Sequence, residues 1–173
     1  MKLAWLTGLA LLMTPAGALA QDDEMTSIVS THGNIRIAAQ PEADELQTWI
    51  DDGTTLVISV RTQREMSELD FDEGAMLQDA GIAYANIPMG YELGYSPEGT
   101  SALSAVLNAH DGPVVLHCTI GYRAAHVYVA HLIETGTIAP DEANSLNLSP
   151  RGDLNAEVMR ELSPIYAEAY PEE

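Results

Sequence analysis

Apolar residues in this chain fall in short β-branched blocks separated by stretches with helical spacing, so strands and helices are predicted to alternate. Ile35 to Ala38 reads as a strand. Ala43, Leu46, Trp49 and Ile50 share one helical face and predict a helix over 42–51, with Pro41 as a first-turn residue. Asp52-Gly53 turns the chain into a buried strand from Thr55 to Val60, followed by a loop with Arg61, Arg64 and Glu65. A helix over 72–80 stops at Gly81, Ile82 to Ile87 forms the next strand, and residues 88–96 make a loop rich in glycine and tyrosine. Pro97 opens a helix to about Ala109. His110-Asp111-Gly112 then turns into the strand Val114-Val115-Leu116. A helix from Arg123 to Thr135, a short helical piece from Pro140 and a last helix over 155–170 complete the pattern. Such alternation predicts an α/β layer architecture with a mainly parallel central sheet.

Ligands of such sheets bind beyond the carboxyl ends of the strands. Cys118 lies at one of these ends, and Arg61 lies at another, after Val57-Ile58-Ser59-Val60. The topology lets both face one cleft. Around Cys118 the run His117-Cys118-Thr119-Ile120-Gly121-Tyr122-Arg123 joins a strand to a helix through a glycine turn. Backbone N–H groups of Thr119 to Arg123 can converge there on an anion, helped by the positive end of the helix dipole. Arg123 adds a forked permanent charge, and this setting favours a thiolate over a thiol. His117 is placed to hold the loop and help stabilise the thiolate, or to sit buried on a backbone partner. Gly121 reads as a site glycine more than as a plain turn.

Composition narrows the partners. Seven Lys and Arg stand against 26 Asp and Glu, for a formal charge of −19. So acidic a chain repels nucleic acid and anionic membranes, which excludes both as expected partners. An arginine inside the cysteine loop is therefore not random surface charge. The first twenty residues have the pattern of a secretory signal: Met1-Lys2, an apolar stretch from Leu3 to Met13, then Ala18-Leu19-Ala20 before Gln21. The expected organisation is a signal over 1–20, a flexible mature N-terminus over 21–34 and one domain over 35–173. The mature protein is expected in the periplasm or secreted, off the membrane. Cys118 is the only cysteine, so it can form no intramolecular disulfide, and its position marks it as reactive.

The run HCTIGYR resembles the signature loop of dual-specificity-type cysteine phosphatases, and also the active loop of rhodanese-type sulfurtransferases. The segments IRIAAQPEADELQTWIDDGTTLVISVR, GIAYANIPM and PVVLHCTIGYRAAH, followed by TIAPDEA, resemble one bacterial family in that order. It is the phosphatase-like domain of beta-lactamase hydrolase-like proteins, sometimes labelled sulfur transferase. The resemblance covers Ile35 to Ala143 and implies a protein-tyrosine-phosphatase-like three-layer fold. Tyrosine phosphatases have five residues between cysteine and arginine, whereas Thr119 to Tyr122 is four. They follow the arginine with Ser or Thr, and here Ala124 has no hydroxyl. Their general acid is an aspartate on the loop after the preceding strand, and the loop Met89 to Tyr95 offers only Glu92. Arg61 and Glu65 resemble the Arg-x-x-x-Glu pair of rhodaneses.

These residues predict a covalent Cys118 intermediate on a small anionic substrate: thiosulfate, a persulfide or a phosphate ester. Sulfane-sulfur transfer comes first because it needs no proton donor to an alkoxide. Phosphate-ester hydrolysis with Glu92 as general acid is the alternative, and an anion-binding module without turnover is a third. His126 and His131 are five apart, on different helix faces, so no metal is expected, and no cofactor is called for. The sequence does not set the oligomeric state.

Overall fold

The computed structural model describes residues 27–172, and the predicted signal and residues 21–26 lie outside that range. Five strands form the central sheet: β1 (Ile28–His32), β2 (Ile35–Ala38), β3 (Leu56–Ser59), β4 (Ala83–Asn86) and β5 (Val114–His117). Their order is β1-β2-β5-β3-β4. The pairs β2–β5, β5–β3 and β3–β4 are parallel, and only β1 runs antiparallel, against β2. The inner strands β2, β3 and β5 are short runs of almost wholly buried side chains, as expected where both sheet faces are covered. Strand β4, at the edge, is half-buried.

One face is covered by α4 (Pro97–Asn108), α5 (Tyr122–Glu134), α6 (Ala156–Leu162) and α7 (Pro164–Ala169). Val114, Leu116 and Cys118 point into this layer, against Leu103, Val127, Met159 and Leu162. The opposite face is covered by α1 (Glu45–Asp51) and α3 (Glu73–Asp79), with Val115 packed among Leu46, Trp49 and Leu77. The alternation of side chains along β5 thus sends Cys118 to one layer and its neighbour His117 to the other.

Four expectations need correction. The segment 21–34 is not flexible throughout: Ile28–His32 pairs with β2, its burial alternating between half-buried and exposed as an edge strand's does. The predicted helix over 42–51 begins only at Glu45, because the Glu45 carboxylate binds the N–H groups of Ser27 (3.1 Å) and Glu42 (2.9 Å) and holds the preceding residues in a turn. The loop after β3 contains a short helix, α2 (Gln63–Met66), closed by a capping box between Thr62 and Glu65. The last helix is two. Pro164 lacks an N–H and forces extended backbone on Ser163 (φ −133°, ψ 109°), whose hydroxyl then caps α7.

Candidate active site

The carboxyl ends of β2, β3, β4 and β5 meet at one edge of the sheet, and the loops leaving them build the site. After β5 the Cys118 amide donates to the Ala38 carbonyl at 3.3 Å, which ties the start of the loop to the end of β2. The loop closes at Gly121, the N-cap of α5, at φ +82°. A side chain there is excluded twice. The backbone is left-handed, and a Cβ would stand 2.6 Å from Val29 Cγ2 of β1. The edge strand overlooked in the sequence therefore covers the back of the loop.

Cys118 is 1% exposed and forms the floor of a pocket of about 210 Å³, with Thr119, Ile120, Tyr122 and Arg123 of its own loop and Tyr95 and Arg151 from elsewhere. Among the described residues, no carboxylate lines it. The first-turn amides of α5 have no intrahelical acceptor, and the pocket lies at that end of the helix.

Arg123 is 5% exposed and spans the ends of two strands. Nη1 donates to Met89 O (2.9 Å) and Val60 O (3.4 Å), and both terminal nitrogens grip Glu65, Nη1 to Oε2 at 2.9 Å and Nη2 to Oε1 at 2.5 Å. Nη2 also reaches the Thr119 hydroxyl at 3.1 Å, and that hydroxyl donates to Glu65 Oε1 at 2.9 Å. Burial alone would raise the Glu65 carboxyl. The hydrogen bonds from Arg123, the Thr62 amide and Thr119 outweigh it and bring the group down to about 2. The guanidinium stem passes Gly90, where a Cβ would lie 2.8 Å from Arg123 Cδ.

Beyond Glu65 the polar contacts continue. Arg61 Nε stands 3.6 Å from Glu65 Oε1, and Arg61 Nη1 donates to Gln40 Oε1 at 2.6 Å. Gln40 Nε2 donates to Glu73 Oε1 at 3.3 Å, and Glu73 Oε2 is 3.3 Å from His117 Nε2. Burial would raise the Glu73 carboxyl, but contacts with His117, Tyr84 and Gln40 hold it below its usual range. The two ends of the Cys118 loop are thus joined through the α1–α3 layer as well as along the chain.

Of the residues read from sequence, Cys118, Thr119, Ile120, Tyr122 and Arg123 come together in the pocket, and Gly121 shapes the turn between them. His117 does not join them. Its ring is packed near Trp49 and Glu73, centroids 5.8 Å apart for the ring pair, so it holds the strand end from behind, on a carboxylate and not on backbone. Arg61 and Glu92 line a neighbouring groove of about 320 Å³ that shares only Thr119 with the cysteine pocket. Glu92 is exposed there, in the short 3-10 turn 91–93. The sequence reading took Glu65 as the partner of Arg61 and missed its grip on Arg123; the T-x-x-E capping box at 62–65 is the signal that fixes its place. Tyr95, Glu73 and Arg151 were also missed, since nothing local links them to Cys118.

No family model matches the chain. Over 133 residues, 76% of its length, it is 26% identical to a beta-lactamase hydrolase-like protein of Xylella fastidiosa (strain Temecula1 / ATCC 700964). That match spans about a third (31%) of the relative. Among solved structures, Tk-PTP in its active form superposes with a TM-score of 0.65 at 19% identity, covering 81% of this chain and 96% of that one. A candidate phosphatase of the DUF442 group from Shewanella putrefaciens CN-32 gives 0.62 at 21% identity, with coverages of 84% and 89%. PTPMT1 in complex with PI(5)P gives 0.64 at 16% identity, with coverages of 78% and 90%. The fold is therefore protein-tyrosine-phosphatase-like. In sequence the similarity runs to beta-lactamase hydrolase-like proteins, in agreement with the resemblance of the sequence motifs.

Proposed function

We propose that this protein is an exported enzyme in which Cys118 attacks a small anion seated in the 118–123 loop and carries the transferred group covalently. Sulfane-sulfur transfer is the reaction the pocket suits best. The observation that carries this choice is that no carboxylate among the described residues lines the cysteine pocket, with Glu92 placed on the neighbouring groove. In this step the Cys118 thiolate attacks the outer sulfur of thiosulfate, a new S–S bond forms, the old one breaks, and sulfite leaves with the bonding pair. Sulfite needs no proton to depart. An acceptor thiolate then takes the outer sulfur and restores the Cys118 thiolate. Arg123 and the first-turn amides of α5 hold the anion during both steps.

Phosphate-ester hydrolysis is the second reading. It is supported by the phosphatase fold and by the Tyr95 hydroxyl, a protonated group on the pocket wall that burial holds above its ordinary value. Mass spectrometry of the protein after incubation with thiosulfate separates the two. The expected result is one added sulfur atom on Cys118 and none on Cys118→Ser. Phosphocysteine formed from 4-nitrophenyl phosphate, without sulfur gain from thiosulfate, would establish the second reading instead.

A further inference from the structure

Six arginines fall within the described residues, and five of them pair with a carboxylate: Arg36 with Asp52, Arg61 and Arg123 with Glu65, Arg64 with Glu68, and Arg160 with Glu172. Arg151 is the exception, with no ion pair among the described residues. On a chain of charge −19, where the other five arginines each pair with a carboxylate, its lack of an ion pair is informative. Its place adds to this, for Arg151 lines the Cys118 pocket.

Arg151 is also held in place. Its guanidinium carbon lies 5.3 Å from the centroid of the Tyr122 ring, a cation–π distance. Tyr122 packs against His126, with ring centroids 4.2 Å apart. Burial holds His126 below its ordinary value, so it is neutral near pH 7. Its Nδ1–H donates to Tyr122 O at 2.7 Å, and Nε2 accepts the Asn155 amide at 2.8 Å. Leu154 N–H is fixed on Asn144 Oδ1 at 2.8 Å. The segment that carries Arg151 is thus tethered to the first turn of α5. Arg123, meanwhile, is neutralised by the two-oxygen grip of Glu65.

We propose that Arg151 is a specificity-determining residue, and that the physiological substrate is a small molecule with two anionic groups. One group is attacked in the Cys118 loop, and the other meets Arg151 at the pocket mouth. This rests on the reading that the loop seats an anion. Arg151 is exposed at the pocket mouth, and a charge-assisted hydrogen bond from its guanidinium to a second anionic group favours such a compound over a singly headed one.

Calorimetric titration of the full chain with orthophosphate, pyrophosphate and 2-phosphoglycolate tests this. The expected result is that at least one two-headed probe binds about tenfold tighter than orthophosphate. In Arg151→Gln that preference should fall to about twofold or less, with partial recovery in Arg151→Lys. Arg64→Gln, an equal change of net charge at an exposed position outside the pocket, should keep the preference. If orthophosphate binds and the two-headed probes have no advantage, or if the advantage survives in Arg151→Gln, this inference is wrong while the anion seat stands. If none of the three binds, the anion seat itself is wrong, and the inference falls with it.

Discussion

Glu65 holds Arg123 by both carboxylate oxygens, at 2.9 and 2.5 Å, although the two residues are 58 positions apart and belong to helices that follow different strands. The contact fixes the plane of the guanidinium, and that plane decides whether its fork meets an anion squarely. Glu65→Gln keeps the shape, removes the charge and loses one acceptor. Removing one partner of a largely buried pair should cost about 2–3 kcal/mol of stability, measured by denaturant unfolding. Turnover should fall about 10- to 100-fold, because a small misplacement of a clamping group is costly. If unfolding shifts as expected and turnover stays within twofold of the parent, Glu65 is a structural anchor with no part in positioning Arg123.

Gly90 and Gly94 allow the same idea to be tested by sterics. Both are left-handed, at φ +82° and +68°, so alanine strains the backbone at either by about 1 kcal/mol. They differ in what a Cβ meets: Arg123 Cδ at 2.8 Å from Gly90, and open space at Gly94. Gly90→Ala should therefore lower activity at least tenfold beyond Gly94→Ala, at similar loss of melting temperature. Equal activities would show that the Arg123 stem yields without disturbing the site.

Acid should weaken the fold in two stages. Burial lowers His126 and His131 below their ordinary 6.5, and His126 Nε2 accepts the Asn155 amide, as only the neutral ring can. The unfolded chain then binds more protons than the folded one, so stability falls as pH drops through 6.5 toward the folded values. Glu65 and Glu73 act lower, between the ordinary 4.5 and their depressed values, about 2 for Glu65. Their contribution is complete above 4.5 and is lost as pH falls through the folded values. Urea unfolding at pH 7.5, 5.5 and 3.5 should give progressively lower stabilities, and His131→Gln should flatten the first interval. A flat profile between 7.5 and 5.5 in the parent would contradict the burial argument.

Much of this was legible in the sequence, for physical reasons that can be named. The run Val114 to Arg123 is local: a β-branched strand, a glycine turn and a helix start specify one another within ten residues. Strand β2 and helix α4 keep their predicted bounds closely because apolar spacing and proline mark them. Other features are long-range. Ile28–His32 has no continuous apolar run, and it becomes a strand because β2 offers it an edge. Glu65 and Arg61 read as an i, i+4 pair, which they are, but the bidentate contact to Arg123 depends on how β3 and β5 lie side by side. Tyr95 and Arg151 come from segments 23 and 33 residues from Cys118 and meet it only in the folded pocket.

Tyr95 and Glu92 sit three residues apart on the loop after β4, yet they open on different cavities, and this separates the two chemistries. Tyr95 lines the Cys118 pocket, while Glu92 lines the neighbouring groove with Arg61 and Arg64. The Tyr95 phenol lies close to the Arg123 stem, since a Cβ on Gly90 would touch both, at 3.3 Å from the hydroxyl and 2.8 Å from Cδ. The phenol is protonated at neutral pH, and burial raises it further, so it is a proton donor within reach of a leaving oxygen in this pocket. A positioned acid contributes roughly 10²–10⁴-fold when the leaving group is an alkoxide, and little when it is sulfite or a nitrophenolate. Glu92→Gln should therefore leave sulfur transfer from thiosulfate, and any phosphate hydrolysis, within a few-fold of the parent. Tyr95→Phe should likewise spare sulfur transfer and 4-nitrophenyl phosphate hydrolysis, while cutting alkyl phosphate hydrolysis by two orders of magnitude if that reaction occurs. Steady-state rates for the three substrates on the parent and both variants decide the matter. A large loss of alkyl phosphate hydrolysis in Glu92→Gln with none in Tyr95→Phe would mean that the groove carboxylate swings into the pocket during turnover, and that the acid is Glu92 after all.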